Sequence, residues 1–346
     1  MSPTQGTQPE QDSAVTLHPA QRSAWLDNVA RRWKTQLVGQ PQASEVILRL
    51  LQRVEVGATQ PQRPMGSVLL LGPPGCGKTH AVETLAEVLA GSVEALVKIN
   101  CAEFQQPHEI ARLIGAPPGY IGHADTEPIF TRERLECHRT AEFPYTLVLF
   151  DEIEKAHASL HALLLGVLDR AELFDGRNRR VDFRACLFFF TSNLGSREGL
   201  SGADHSGFVP AVAGSDARAS HFQSTALRAL KRYFPPEFLR RLEETIVFQP
   251  LRPADLAGIL NLELGKLARM FRHHATHPFD VRFSPSAKSM LLKQGRPIEY
   301  GASHLHQTLS REVLDPLYRL MATGQVRPRE AVWVSAEAGA LRFQKG

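Results

Sequence analysis

Apolar positions along the chain follow two periods, and the switches between them outline a fold. In residues 21–37, Trp25, Leu26, Val29, Trp33 and Leu37 recur at helical spacing. That predicts an amphipathic helix centred on 21–35, and residues 41–54 predict a second. Short runs apolar on both faces then appear at 67–71, 94–100, 145–150 (YTLVLF) and 186–190 (CLFFF). Each reads as a strand. Helical segments alternate with them at 81–90, 109–114 and 157–170, the last carrying Leu160, Leu163, Leu164 and Val167. Two-sided apolar strands separated by helices argue for an α/β fold with a parallel sheet covered on both faces.

The remaining segments divide the chain. Residues 1–20 are rich in Gln, Pro, Ser and Thr and are expected to be a flexible polar tail. Residues 59–66 read as a surface loop, 116–122 as a loop punctuated by Gly and Pro, and the Gly-, Ser- and Ala-rich stretch 196–224 as loop-like. After Pro250 to Pro253 the pattern changes. Helices are expected at 253–273, 285–294 and 302–323, with strands near 279–283, 331–335 and 340–344. The expected domains are therefore 36–250, large, and 251–346, small and mainly helical.

Composition narrows the class only a little. The 346 residues have room for about two domains, and 43% hydrophobic with 22% charged is ordinary for a soluble globular protein. A formal net charge of +4 is too small to point to nucleic acid. Cys76, Cys101, Cys137 and Cys186 lie far apart, suggesting neither a disulfide framework nor a zinc site and fitting a reducing cytoplasm. Neither a signal peptide nor a membrane span is expected.

The candidate chemistry starts at the end of the first strand. GPPGCGKT, made of Gly72, Pro73, Pro74, Gly75, Cys76, Gly77, Lys78 and Thr79, stands between an apolar run and a helix. At this spacing the loop can wrap a triphosphate with its N–H groups, and the following helix turns its positive end to the same anion. Lys78 would reach the β- and γ-phosphates and Thr79 would ligate Mg²⁺, implying ATP as the nucleotide. Asp151 and Glu152 end a buried strand, where Asp151 can hold Mg²⁺ and Glu152 can orient and deprotonate a water. Asn193 ends the next strand and can position that water. All of these fall beyond the C-terminal strand ends, where such sheets bind ligands.

Six strings in this order carry a resemblance: VGQ (38–40), GPPGCGKT, RLIGAPPGYIG (112–122), LVLFDEIEKAH (147–157), TSNLGS (191–196) and FPPEFLRRLEETIVFQPL (234–251). Residues 36–346 resemble the AAA+ ATPases of the Clp unfoldase and disaggregase family, in particular the second ATPase module of ClpA-, ClpB- and ClpC-type chaperones. The resemblance implies a P-loop NTPase domain followed by a small helical lid. It places Val38 and Gly39 near the adenine, and makes Glu152, Asn193 and Arg241 the catalytic set. Arg241 would be the finger inserted into a neighbouring subunit, with Arg240 beside it as the alternative. Gly119, Tyr120, Ile121 and Gly122 would form the pore loop that grips protein substrate in a homohexamer. A ring grips any side chain, and flanking glycines let the loop swing.

Some positions depart from the family. Its second-sensor arginine falls here on Ser303, which supplies no cation, leaving Arg296 or His304 as substitutes. Ser206 to Phe208 stands where peptidase-docking relatives carry an aliphatic-Gly-Phe tripeptide, but the Ser matches poorly and ordinary loop chemistry is the favoured reading; the family resemblance still allows an adaptor or peptidase as partner. Arg177 to Arg180 (RNRR) reads as a solvated hairpin, and His273, His274 and His277 as an exposed helix end. Three functions compete. The first is an ATP-driven unfoldase that threads polypeptide. The second is a weakly hydrolysing ATP-gated ring or scaffold, and the third a DNA-associated AAA+ remodeller. The GYIG string disfavours the third, making a nucleic-acid partner unexpected.

Overall fold

A computed structural model describes residues 21–58, 60–116, 128–196, 215–274, 276–295 and 301–346. The tail 1–20, the loop residues Gly119 to Gly122, the 206–208 tripeptide and Arg296 lie outside the described residues. Helices α1 (Ala24–Lys34) and α2 (Pro41–Glu55) precede β1 (Gly66–Leu71), and α3 (Lys78–Ala90) leads to β2 (Leu96–Asn100). Two short helices, α4 (Ala111–Ile114) and α5 (Arg132–Glu136), come before β3 (Thr146–Asp151). Next come α6 (Ala158–Arg170), a hairpin of β4 (Glu172–Phe174) and β5 (Arg180–Asp182), and β6 (Cys186–Ser192). Helices α7 (Ser215–Tyr233) and α8 (Pro236–Leu239) and the strand β7 (Glu244–Val247) complete this part.

Five strands form one parallel sheet in the order β2-β3-β6-β1-β7. Alternate residues leave opposite faces of a strand, so a strand buried on both sides must be apolar throughout. Val68, Leu70, Leu149 and Phe189 pack with α1, α2 and α3, whereas Leu69, Leu71, Phe150 and Phe190 pack with α6, α7 and α8. The sheet is covered on both faces, as the apolar runs require.

The stretch 196–224 was expected to be loop-like, and its last ten residues instead begin α7. Phe222, Ala226, Ala229 and Leu230 are buried at helical spacing, and that stripe outweighs the local Ser content. Gly195, at φ +74°, lies against this helix; a Cβ there would come within 2.7 Å of the Ala226 Cα. The edge strand β7 was not foreseen either. Its register against β1 comes from a partner far away in sequence.

Helix α1 is fastened to the body by Trp33. Its ring is fully buried, and Nε1 donates to the Ala81 carbonyl and the Thr84 hydroxyl, 3.1 Å each, on α3. Trp25 is partly buried against the same core. Replacing Trp33 by Ala removes a large buried ring and orphans those acceptors, so Trp33→Ala is expected to cost about 3–5 kcal/mol. Urea unfolding followed by circular dichroism checks this, and a midpoint equal to wild type would contradict the packing described.

The C-terminal part runs α9 (Pro253–Arg272), β8 (Asp280–Phe283), α10 (Pro285–Gln294), α11 (Gly301–Leu309), α12 (Asp315–Ala322), β9 (Ala331–Glu337) and β10 (Ala340–Lys345). A π-helical turn, Ser310–Leu314, joins α11 to α12, so the helix expected over 302–323 is continuous but not uniformly α. The sheet order is β10-β9-β8, and Leu260, Leu264, Phe271, Leu291, Leu305 and Val334 share one core beneath it. The start of α11 touches the large sheet's loops directly: the Ala302 N–H donates to the Gly75 carbonyl at 2.9 Å.

Candidate active site

Parallel strands deliver their C-terminal ends to one edge of the sheet. Here β1 hands over to Gly72, β3 ends at Asp151 and β6 leads into Asn193. Gly72 donates its N–H to the Ser192 carbonyl at 3.1 Å, and a Cβ at Gly72 would sit 2.7 Å from the Phe248 carbonyl oxygen. Only glycine fits there. Gly75 and Gly77 take positive φ, and Gly77 caps the N-terminus of α3. Within the loop the Cys76 thiol is fully buried, and burial raises its pKa against the opposing pull of Lys78.

Lys78 is buried, and its ammonium donates to the Gly72 carbonyl (2.8 Å), the Pro73 carbonyl (2.9 Å) and Asn193 Oδ1 (2.8 Å). All three acceptors are neutral. A buried cation held only by neutral dipoles favours an anion beside it, which suits the cradle to phosphate. Thr79 donates to Asp151 Oδ1 at 2.8 Å, and Thr191 donates to the same oxygen at 2.5 Å while accepting the Glu152 N–H. Asn193 Nδ2 donates to Glu152 Oε1 at 3.1 Å, and Lys155 pairs with Glu152 Oε2 at 2.6 Å. That pairing raises the Lys155 pKa. Glu152 sits at φ 58°, ψ 52°, a left-handed conformation costing about 1–3 kcal/mol for a residue with a Cβ. Five of the residues singled out in the sequence thus form two hydrogen-bonded chains, Lys78 to Asn193 to Glu152 and Thr79 to Asp151.

Val38 and Gly39 lie beside this loop. Val38 lines a cleft with Leu37, Gly75, Gly77, Leu251 and Ile259, and Gly39 at φ +80° packs against Asp255 and Leu251. The cleft volume is about 60 Å³, room for roughly two waters. Gln40 was part of a matching string with no role assigned. It is buried, and its amide joins the Cys76 carbonyl (3.2 Å) to both backbone groups of Gln249 (2.8 and 3.0 Å). It thereby fixes the cleft wall to the phosphate loop. A Gln at a helix start gives no such signal in sequence, because its partner is more than 200 residues away.

The family profile of the AAA domain (Cdc48 subfamily) matches residues 63–245, more than half of the chain. The chain belongs to this AAA family. A second profile, the C-terminal D2-small domain of ClpB protein, matches residues 251–334. Chaperone protein ClpB of Nitratidesulfovibrio vulgaris is 36% identical over 309 residues, covering 89% of this chain and 33% of the relative. The ATP-binding subunit ClpC of the Clp protease of Staphylococcus saprophyticus is also 36% identical, covering 88% of this chain and 36% of that protein. The module therefore spans about a third of the length of these relatives. A closed-state cryo-EM reconstruction of Hsp104 with ATPγS and FITC casein shares the fold, with a TM-score of 0.76 at 23% identity over 92% of this chain and 51% of that one. Among the described residues no helix is long and apolar enough to cross a membrane.

Other features expected of this AAA+ module are placed away from the loop. The Arg241 carbonyl accepts from Ser67 at the first residues of β1, and the guanidinium pairs with Asp169. Ser67 is separated from Gly72 by the length of the strand, about 16 Å at the usual rise. Arg241 is therefore not brought to its own phosphate loop, and Arg240 beside it is exposed. Ser303 is exposed, and His304 Nδ1 is buried without a hydrogen-bond partner among the described residues. Arg179 and Arg180 pair with Asp175 and Glu172 inside the β4–β5 hairpin. His274 and His277 lie 6.4 Å apart at the end of α9.

His80, on the cleft wall, has its pKa lowered by burial first and by Lys266 second, with the Gln36 backbone, Glu263 and Glu83 opposing. Burial lowers His161 likewise. The unfolded chain takes up these protons near 6.5 and the folded chain only below that. Stability is therefore complete above 6.5 and is lost as pH falls toward the lowered folded values. Urea midpoints at about pH 7.5 and about pH 5.5 are expected to differ in that direction, with a smaller difference in His80→Asn. An unchanged difference would remove His80 as a cause.

Proposed function

We propose that the module hydrolyses ATP with Mg²⁺ in a homohexameric ring and uses the cycle to unfold or remodel protein drawn past Tyr120. The observation that carries the reading is the continuous chain from Lys78 through Asn193 to Glu152, beside the Thr79–Asp151 pair. In it Lys78 binds the β- and γ-phosphates, Asn193 holds a water, and Glu152 accepts the proton as the water oxygen attacks the γ-phosphorus and the bond to ADP breaks. Thr79 and Asp151 present adjacent oxygens suited to Mg²⁺, which would neutralise phosphate charge. Arg241 reaches the site from a neighbouring subunit. Val38 and Gly39 flank the base. Relatives named as chaperones and a protease subunit support protein as the substrate, with an adaptor or peptidase as a possible partner. Buried free thiols at Cys76, Cys101 and Cys186 suit a reducing cytoplasm.

The test is ATP turnover with and without casein. Wild type is expected to turn over faster with casein, and casein should no longer raise turnover in Tyr120→Ala. Stimulation that persists in that variant would refute threading by Tyr120. Exposure of Ser303 favours a second reading, a slow ATP-gated ring. That reading is preferred if wild type forms rings but hydrolyses no faster than Glu152→Gln.

A further inference from the structure

We infer that Glu154 is a positioning residue for hydrolysis, fixing Asn193 so that its amide can serve Lys78 and Glu152 together; this rests on the hydrolytic reading above. Glu154 lies in the short turn Ile153–Lys155 that follows β3. Its Oε1 accepts the backbone N–H of Asn193 at 3.0 Å, bridging the ends of two neighbouring strands. Its backbone carbonyl accepts the Tyr233 hydroxyl at the end of α7. The second carboxylate oxygen, Oε2, is buried with no hydrogen-bond partner among the described residues.

A carboxylate oxygen buried without a partner is costly, and such an exception calls for a function. An acid at the surface of a turn would keep both oxygens in water. Here the side chain turns inward to hold one amide. That amide matters because Asn193 lies one residue beyond β6, past the last paired residue, Ser192. Its carbonyl is held by the Ser196 hydroxyl at 2.5 Å, and its N–H by the Glu154 carboxylate. With the backbone fixed at both groups, the side chain starts from one place, from which Oδ1 meets the Lys78 ammonium and Nδ2 meets Glu152. The same orientation sets the distance between the phosphate-binding cation and the general base. Freeing the N–H lets the amide turn, and a small displacement of a water-positioning group costs rate far more than binding.

Steady-state turnover of full-length Glu154→Ala and Glu154→Gln against ATP concentration tests this, together with hydrogen exchange at the Asn193 amide. In Glu154→Ala, kcat is expected to fall about 10- to 100-fold, the range of a lost hydrogen bond to a charged acceptor. KM for ATP and the thermal midpoint should stay near wild type. Glu154→Gln keeps a carbonyl oxygen for Asn193 and should recover most of kcat. The Asn193 amide should exchange about ten times faster in Glu154→Ala than in wild type. Wild-type kcat in Glu154→Ala overturns the proposal, as does loss of KM and kcat together in both variants. If wild type itself shows no Glu152-dependent turnover, the hydrolytic reading has failed. Exchange at Asn193 then decides the contact alone, and unchanged exchange in Glu154→Ala refutes it.

Discussion

Arg241→Ala is expected to lower ATP turnover by about 10³-fold or more while leaving nucleotide binding intact, the loss that follows removal of an arginine finger. The argument is geometric. The Arg241 carbonyl is held by Ser67 at the opening of β1 and the guanidinium pairs with Asp169 on α6, whereas the phosphate loop follows the other end of β1. It cannot serve its own site without unfolding the edge of the sheet. Both members of the Asp169 pair are about one-third exposed, so releasing the arginine to a neighbour costs at most about 1 kcal/mol. A planar, permanently charged fork then meets the charge that develops on the transferring phosphoryl group. Mixing subunits separates this from a fold defect. Arg241→Ala and Glu152→Gln are each expected to be inactive alone, and mixed rings should recover part of the activity, because some interfaces combine an intact Glu152 with an intact Arg241. No recovery in mixed rings would refute action between subunits. If Arg240→Ala rather than Arg241→Ala shows the loss, the finger is the neighbouring arginine.

Glu152→Gln is expected to reduce turnover by roughly 10²- to 10⁴-fold, the contribution of a general base. ATP affinity should be unchanged or tighter. The amide keeps the size of the side chain and can still accept from Asn193, so geometry is conserved while basicity is lost. Both carboxylate oxygens of Glu152 are already engaged, one by Asn193 and one by Lys155. The Lys155 pair is exposed enough to be weak, so a water can displace it. Single-turnover phosphate release at saturating ATP measures this step apart from binding. Release at the wild-type rate would show that Glu152 is not the base.

The same residues show how far sequence could be read. Strand, glycine-rich loop and helix follow one another without a break, so this local arrangement was legible from Ser67 to Ala90. Asp151 and Glu152 were legible because a fully apolar run is a buried strand, and two acids at its C-terminal end fall on the edge where a parallel sheet binds ligands. The last turns of the large sheet were harder. Helix α7 was hidden because its first residues look like the Gly- and Ser-rich stretch before them, and only the buried stripe from Phe222 to Leu230 shows its periodicity. Gln40 was unreadable, since its two partner segments converge on it from distant parts of the chain.

Sequence by itself determined what local chemistry dictates. The alternation of apolar runs set a parallel α/β sheet, and the spacing of Gly72, Gly77, Lys78 and Thr79 set a tight glycine-rich loop opening α3. Tertiary structure decided what depends on meeting across the chain. It joined Lys78 to Glu152 through Asn193, and set the α11 N-terminus on the Gly75 carbonyl, where a Cβ at Gly301 would come within 2.6 Å of that oxygen. It also carried Arg241 to the far end of β1. Period and composition are properties of neighbours in sequence, whereas each of these contacts is fixed by strand order and by close packing between elements far apart in the chain.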